Sequence, residues 1–243
     1  MRLLLGGDSH VVALGNALRE AGIGDAPFDG ARAEKMFSFP ETLKDFFEVR
    51  QNRVELHGAL ARDAMQRLGG TAHIEPSDDV LVLCLGFTTT KLVRWAVWER
   101  IRPWSCPGRQ LPVSDGQIKA MALDHWKYSL AFLKALRDLG VRLVVVEAPP
   151  PCDTDPSITE RRTPEMLLTV DRLARDAARE ALKDFSIVPT PPEAAHQGFL
   201  RPEYRKNLRD HHHAGPSYGR LVLPSILEAA AIAARDDKRA LVA

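Results

Sequence analysis

Three short apolar runs, each stopped by glycine or proline, constrain the fold of this chain more than any other feature. Arg2 to Leu5 (RLLL) runs into Gly6-Gly7, Asp79 to Leu85 (DVLVLCL) stops at Gly86, and Val141 to Glu147 (VRLVVVE) meets Ala148 and the prolines 149 to 151. Continuous apolar runs of this length form strands buried on both faces. Segments with helical spacing lie between them. Val11, Val12, Leu14 and Leu18 mark a first helix ending near Gly22 or Gly24. Val54, Leu56, Leu60, Ala64 and Leu68 predict a second over Asn52 to Leu68. Lys91 to Arg100 continues as helix, Gln117 to Leu139 forms a long one, Pro164 to Lys183 another, and Tyr218 to Arg235 a last one. A short second strand is expected at Ala26 to Phe28 and a final one at Phe185 to Pro189, while the Pro- and Gly-rich stretch 101–116 reads as a loop or insertion. Strands alternating with helices require right-handed crossovers, so the expectation is an α/β protein with a parallel sheet and helices on both faces. With no repeat and no linker, residues 1–243 are read as a single domain.

Composition narrows the function classes. Lys plus Arg is 33 against 32 Asp plus Glu, a balance that points neither to nucleic acid nor to an anionic membrane. No apolar run is long enough to span a bilayer, and the apolar start is too short for a secretory signal, so a cytoplasmic location is expected. Cys84, Cys106 and Cys152 are odd in number, lack metal-like spacing and suit a reducing compartment.

The first strand ends at Gly7-Asp8-Ser9-His10, directly before a helix. In open α/β sheets the working crevice lies at the carboxyl ends of the strands, and a helix start offers free backbone N–H groups. Ser9 therefore stands where an oxyanion can be held, although helix capping by Asp8 or Ser9 explains the same residues. Near the other end, Asp210 and His213 are three residues apart, a spacing that lets a carboxylate orient an imidazole. The run His211, His212, His213 is not read as a metal site, because adjacent side chains diverge and no further ligands are spaced to converge with them. No cofactor is called for.

Gly7-Asp8-Ser9-His10 after the first strand, with Asp210-x-x-His213-Ala214 and Tyr218-Gly219 before the last helix, resembles the SGNH (GDSL-type) hydrolases. Gly215 stands where bacterial members carry Asn in this closing motif. The resemblance implies a flavodoxin-like three-layer α/β/α sandwich with about five parallel strands. It also implies a serine esterase with Ser9 as nucleophile, His213 as general base and Asp210 as its orienting partner. Family members follow the third strand with Gly-x-Asn-Asp; here the stretch is Gly86-Phe87-Thr88-Thr89. The oxyanion hole is accordingly expected from Ser9, Thr88 and Gly86, with Gly58 a positional candidate for a further backbone donor. A threonine is shorter than asparagine, and loss of one oxyanion donor typically costs ~100–1000-fold in turnover.

Asp8, His10, Thr89 and His212 are expected against the substrate, a small-molecule or glycan ester. Activity is expected to fall as pH drops through the imidazole range, because His213 must be neutral to act as base. The alternatives are an O-acyltransferase, which uses the same acyl-serine, and a weakly catalytic binding protein on the same fold. Arg201, Arg205, Lys206 and Arg209 are read as a solvated loop face before an acidic-ligand site. Trp95, Trp98, Trp104 and Trp126 are read as core before sugar platforms.

Overall fold

A computed structural model describes residues 1–22, 28–85, 87 and 89–240. Five parallel strands form the central sheet: β1 (Leu3–Gly7), β2 (Ala31–Lys35), β3 (Val80–Cys84), β4 (Leu143–Val146) and β5 (Ser186–Val188). Their order across the sheet is β5-β4-β3-β1-β2, the flavodoxin-like order with its switch point at β1. Residue Gly7 of β1 pairs with Lys35 of β2 on one side and Cys84 of β3 on the other. Successive side chains point to opposite faces of a strand, and the core divides accordingly. Leu3, Leu5, Val80, Val82, Val144 and Val146 pack on one side, and Leu4, Leu81, Leu83, Leu143 and Val145 on the other. The first face is covered by α1 (Val11–Ala21) and the last helix. The second is covered by α2 (Ala59–Gly69), α3 (Asp115–His125), α4 (Lys127–Asp138) and α5 (Pro164–Ala181). The last helix, α6, spans Pro216–Ala240. No helix among the described residues is long and apolar enough to cross a membrane.

Several local expectations are corrected. The second strand is Ala31–Lys35. Of the stretch expected to form it, residues 26 and 27 lie outside the described residues, and Phe28 is a buried side chain preceding the strand. Its sequence, Ala-Arg-Ala-Glu-Lys, is polar because β2 is an edge strand whose charged side chains reach solvent. The helix expected from Asn52 begins only at Ala59; Phe47–Arg50 and Arg53–Leu56 form an antiparallel hairpin instead. Val54 and Leu56 are buried two residues apart, the period of a strand. Gln51 takes φ 52° in the turn.

Lys91 to Arg100 is not one helix. A turn at Thr90–Val93 is followed by a 3-10 segment, Ala96–Glu99, because Trp98 folds inward to donate its indole N–H to the Leu92 carbonyl at 2.7 Å. Stretch 101–116 contains a two-stranded parallel ribbon, Ile101–Pro103 with Leu111–Val113. The long helix to Leu139 is broken at Trp126, whose backbone leaves the helical region at φ −99°, ψ 8°.

One glycine governs how the two ends of the chain meet. A Cβ on Gly219 would lie 2.2 Å from the Ala13 carbonyl oxygen of α1, so only glycine lets α6 seat this closely on α1. Gly219→Val is expected to cost about 1–3 kcal/mol or more of folding stability. Chemical denaturation checks this; an unchanged midpoint would mean that the helices separate without penalty.

Candidate active site

The carboxyl ends of β1 and β3, together with the loop before α6, build the site. β1 ends at Gly7, where a Cβ would meet the Cys84 carbonyl oxygen at 2.0 Å. The chain turns through Asp8, whose backbone N–H donates to the Cys84 carbonyl at 3.0 Å and whose Oδ1 accepts the His10 N–H at 2.9 Å. That turn presents Ser9 just before α1. No acceptor among the described residues takes the Ser9 backbone N–H.

The His213 ring lies across the serine, its Nε2 3.0 Å from Ser9 Oγ. Its Nδ1 is 2.9 Å from Asp210 Oδ2 and 3.1 Å from Oδ1. Asp210 Oδ1 also accepts the backbone N–H groups of His212 at 2.9 Å and His213 at 2.8 Å. Burial pushes the Asp210 carboxyl upward, but the His213 and His212 N–H donors and the His213 ring outweigh it and hold it at about 2. Ionised Asp210 thus favours the tautomer with a proton on Nδ1, which leaves Nε2 to accept the Ser9 O–H. Ser9, His213 and Asp210 form one hydrogen-bonded chain.

A cleft of about 230 Å³ opens onto Ser9 and His213. Asp8, Lys35, Ser38, Thr42, Lys91, His125 and His212 supply its polar wall, and Phe37, Leu43 and Trp126 its apolar wall. Asp8 and His212 thus line the cleft, whereas His10 and Thr89 do not. His10 is 5% exposed, and neither ring nitrogen has a hydrogen-bond partner. Its ring sits against His212, centroids 5.0 Å apart, and His213, at 5.8 Å. His10 is therefore a packing residue behind the base and does not line the cleft. Thr89 is 2% exposed, and its hydroxyl is spent on Asp171 of α5, so it cannot reach a ligand. Gly86 and Thr88 lie outside the described residues. Gly58 caps the N-terminus of α2 against Glu41, away from the cleft lining. Arg205, expected on a solvated loop, is buried and paired with Asp153 at 2.5 Å. Trp98 is core, Trp104 is exposed, and Trp126 is buried yet forms part of the cleft wall.

The bond from Thr89 belongs to a wider buried network. Asp171 Oδ2 pairs with Arg175 at 2.9 Å, and Arg175 donates to the carbonyls of Ala148 at 2.8 Å and Pro149 at 2.9 Å. Glu147 pairs with Arg179 and accepts the Thr190 backbone N–H at 3.2 Å. One charged cluster on α5 therefore ties together the segments that follow β3, β4 and β5. Burial pushes the Glu147 carboxyl upward, yet Arg179 and Arg175 bring it below the usual carboxylate range.

Burial also lowers two imidazoles beside the base. Desolvation, then the neighbouring His213, takes His10 down to about 3; desolvation, then His10 and His213, does the same to His212. Both groups are neutral in the folded protein at pH values where an unfolded chain binds a proton near 6.5. The unfolded state then carries more protons between pH 3 and 6.5, so stability is complete above about pH 6.5 and is lost as pH falls. For His10 the expected loss between pH 7 and pH 5 is about 2 kcal/mol, with a smaller, solvent-screened share from His212. Urea midpoints measured at both pH values should show the drop, and His10→Phe should shrink it. A His10 ring proton that titrates near pH 6.5 by NMR would contradict the assignment.

No protein-family model matches the sequence, and no curated protein matches it. Solved structures do match in fold. A structure provisionally described as a platelet activating factor from Streptococcus pneumonia aligns at TM-score 0.50 and 14% identity, over 94% of this chain and 83% of its own. A provisionally assigned acylhydrolase from Bacteroides fragilis aligns at TM-score 0.48 and 11% identity, over 96% and 88% of the two chains. A GDSL-like lipase from Bacteroides thetaiotaomicron aligns at 0.46 and 9%, over 96% and 88%. The sheet order β5-β4-β3-β1-β2 with helices on both faces, and the alignment to the Streptococcus pneumonia structure, make the chain a three-layer α/β/α sandwich with a flavodoxin-like parallel sheet.

Proposed function

We propose that the protein is a serine-dependent ester hydrolase, a deacylase of an acylated sugar or small metabolite, working through an acyl-serine intermediate. The observation that carries this reading is the continuous chain Ser9 Oγ, His213 Nε2, His213 Nδ1 and Asp210, opening onto a cleft. His213 takes the Ser9 proton as Oγ attacks the ester carbonyl, and the imidazolium formed is stabilised by Asp210. The negative charge that develops on the carbonyl oxygen meets the Ser9 backbone N–H, which no described residue occupies, and Thr88 and Gly86 are the further donors proposed from the sequence. His213 returns the proton to the departing alcohol. It then activates water, which releases the acid and restores Ser9.

A second reading, a binding protein of weak turnover, rests on two sequence observations: Gly86-Phe87-Thr88-Thr89 replaces the Asn-bearing motif of the resembling family, and Gly215 stands where its closing motif carries Asn. A fluorophosphonate probe separates the two readings. Labelling of wild type and not of Ser9→Ala supports the nucleophile, and equal labelling of both overturns it. Products analysed with and without a sugar acceptor distinguish hydrolysis from O-acyl transfer.

A further inference from the structure

We propose that the cleft selects esters that carry an anionic group, a carboxylate or a phosphate, and that Lys35 and Lys91 are the residues that recognise it. The inference rests on the hydrolase reading for the position of the reacting carbonyl, and on the cleft itself for its charge.

Strand order places the two lysines. β1, which delivers Ser9, lies between β2 and β3. Lys35 is the last residue of β2, paired in register with Gly7. Lys91 lies in the helical turn that follows β3. The lysines therefore enter the cleft from opposite sides of the nucleophile, and both line it.

The remaining ionisable groups in the wall leave the cleft cationic. Burial lowers both His125 and His212 below the usual imidazole range, which disfavours a positive charge on either. Asp8 is the one carboxylate in the described lining, set against two lysines, and Glu41 stands behind the wall with its carboxylate engaged by the Ser38 hydroxyl and backbone N–H. Asp210 lies behind His213 and does not line the cleft. Glu34, beside Lys35 in sequence, is turned to Arg67 at 3.1 Å, as the alternation of a strand requires. Lys35 is exposed and has no ion pair among the described residues. A lysine ammonium is a mobile point charge that suits a carboxylate or a phosphate oxygen without demanding a fixed geometry. Phe37, Leu43 and Trp126 supply the apolar wall for the remainder of such a substrate.

Three aryl acetates of similar shape test the proposal: 4-acetoxybenzoate, 4-acetoxyphenyl phosphate and the neutral 4-acetoxybenzamide. Binding to Ser9→Ala protein is measured by calorimetry at low salt, so the result does not depend on turnover. At least one anionic ester is expected to bind about tenfold more tightly than the amide, with the advantage shrinking as salt screens the charges. The carboxylate and phosphate arms show which anion is preferred. Lys35→Gln and Lys91→Gln, placed in the same background, should each reduce the anionic-to-neutral ratio by about threefold. A ratio near one, or a ratio that persists in the double variant, overturns the proposal. The hydrolase reading is judged separately, by labelling of wild-type Ser9, so a failure of the anion preference is distinguishable from a failure of the reading it rests on.

Discussion

Ser9→Ala protein is expected to hydrolyse a susceptible ester roughly ten-thousand- to million-fold more slowly than wild type while remaining folded, as loss of a serine nucleophile does in triad enzymes. The side chain is small, and among the described residues Ser9 makes no side-chain hydrogen bond other than that to His213, so truncation removes little packing. His213→Ala should match that loss, because without the base the hydroxyl remains protonated. The double variant should be no slower than either single one, since residues acting as a unit do not add. Asp210→Asn keeps an acceptor oxygen for the His212 and His213 N–H groups. It loses the charge that supports the imidazolium, and a decrease of about ten-thousandfold is expected. Steady-state rates with a purified chromogenic acetate check all four variants. A Ser9→Ala enzyme within tenfold of wild type would remove the serine from the mechanism.

The second large effect is on stability. Asp171→Leu is expected to cost about 3–5 kcal/mol, the usual penalty for breaking a buried ion pair and leaving its partner uncompensated. Arg175 is enclosed in the protein, with its side chain only 11% exposed. Asp171 also accepts from Thr89, so the same change strands a hydroxyl. Glu147 stands 3.9 Å from Arg175 and is already engaged by Arg179, which limits compensation. Denaturant unfolding followed by circular dichroism measures the loss. A cost below 1 kcal/mol would show that the network contributes little to holding the segments after β3 and β4.

The elements legible from the sequence are those whose signal is local. Leu3 to Leu5, Val80 to Leu85 and Leu143 to Val146 are apolar without interruption because the sheet is covered on both faces, and they appear as strands within a residue or two of expectation. Asp210 and His213 could be paired from their spacing, since one short turn holds both. The elements that differ from expectation have causes that a short window does not show. β2 was not legible because an edge strand need not be apolar, and Arg32 and Glu34 carry no burial pattern. The hairpin preceding α2 reads as helix in the sequence because Leu56, Leu60, Ala64 and Leu68 fit a four-residue period. Only the pairing of Phe47–Arg50 with Arg53–Leu56 reveals the two-residue period of Val54 and Leu56. The place of Thr89 after β3 suggests a ligand contact, but its partner, Asp171, lies 82 positions away.

The sequence by itself determined the alternation of strand and helix, the turn that exposes Ser9 and the local Asp210–His213 pair, because each depends on neighbours within a few residues. The tertiary structure decided that Ser9 and His213, 204 positions apart, stand 3.0 Å from one another. It also decided that Lys35 and Lys91 flank them and that His10 is sealed behind the base. These outcomes follow from strand order and from the close seating of α6 on α1 at Gly219. Both arise from packing between distant segments, for which no pattern along the chain supplies a register.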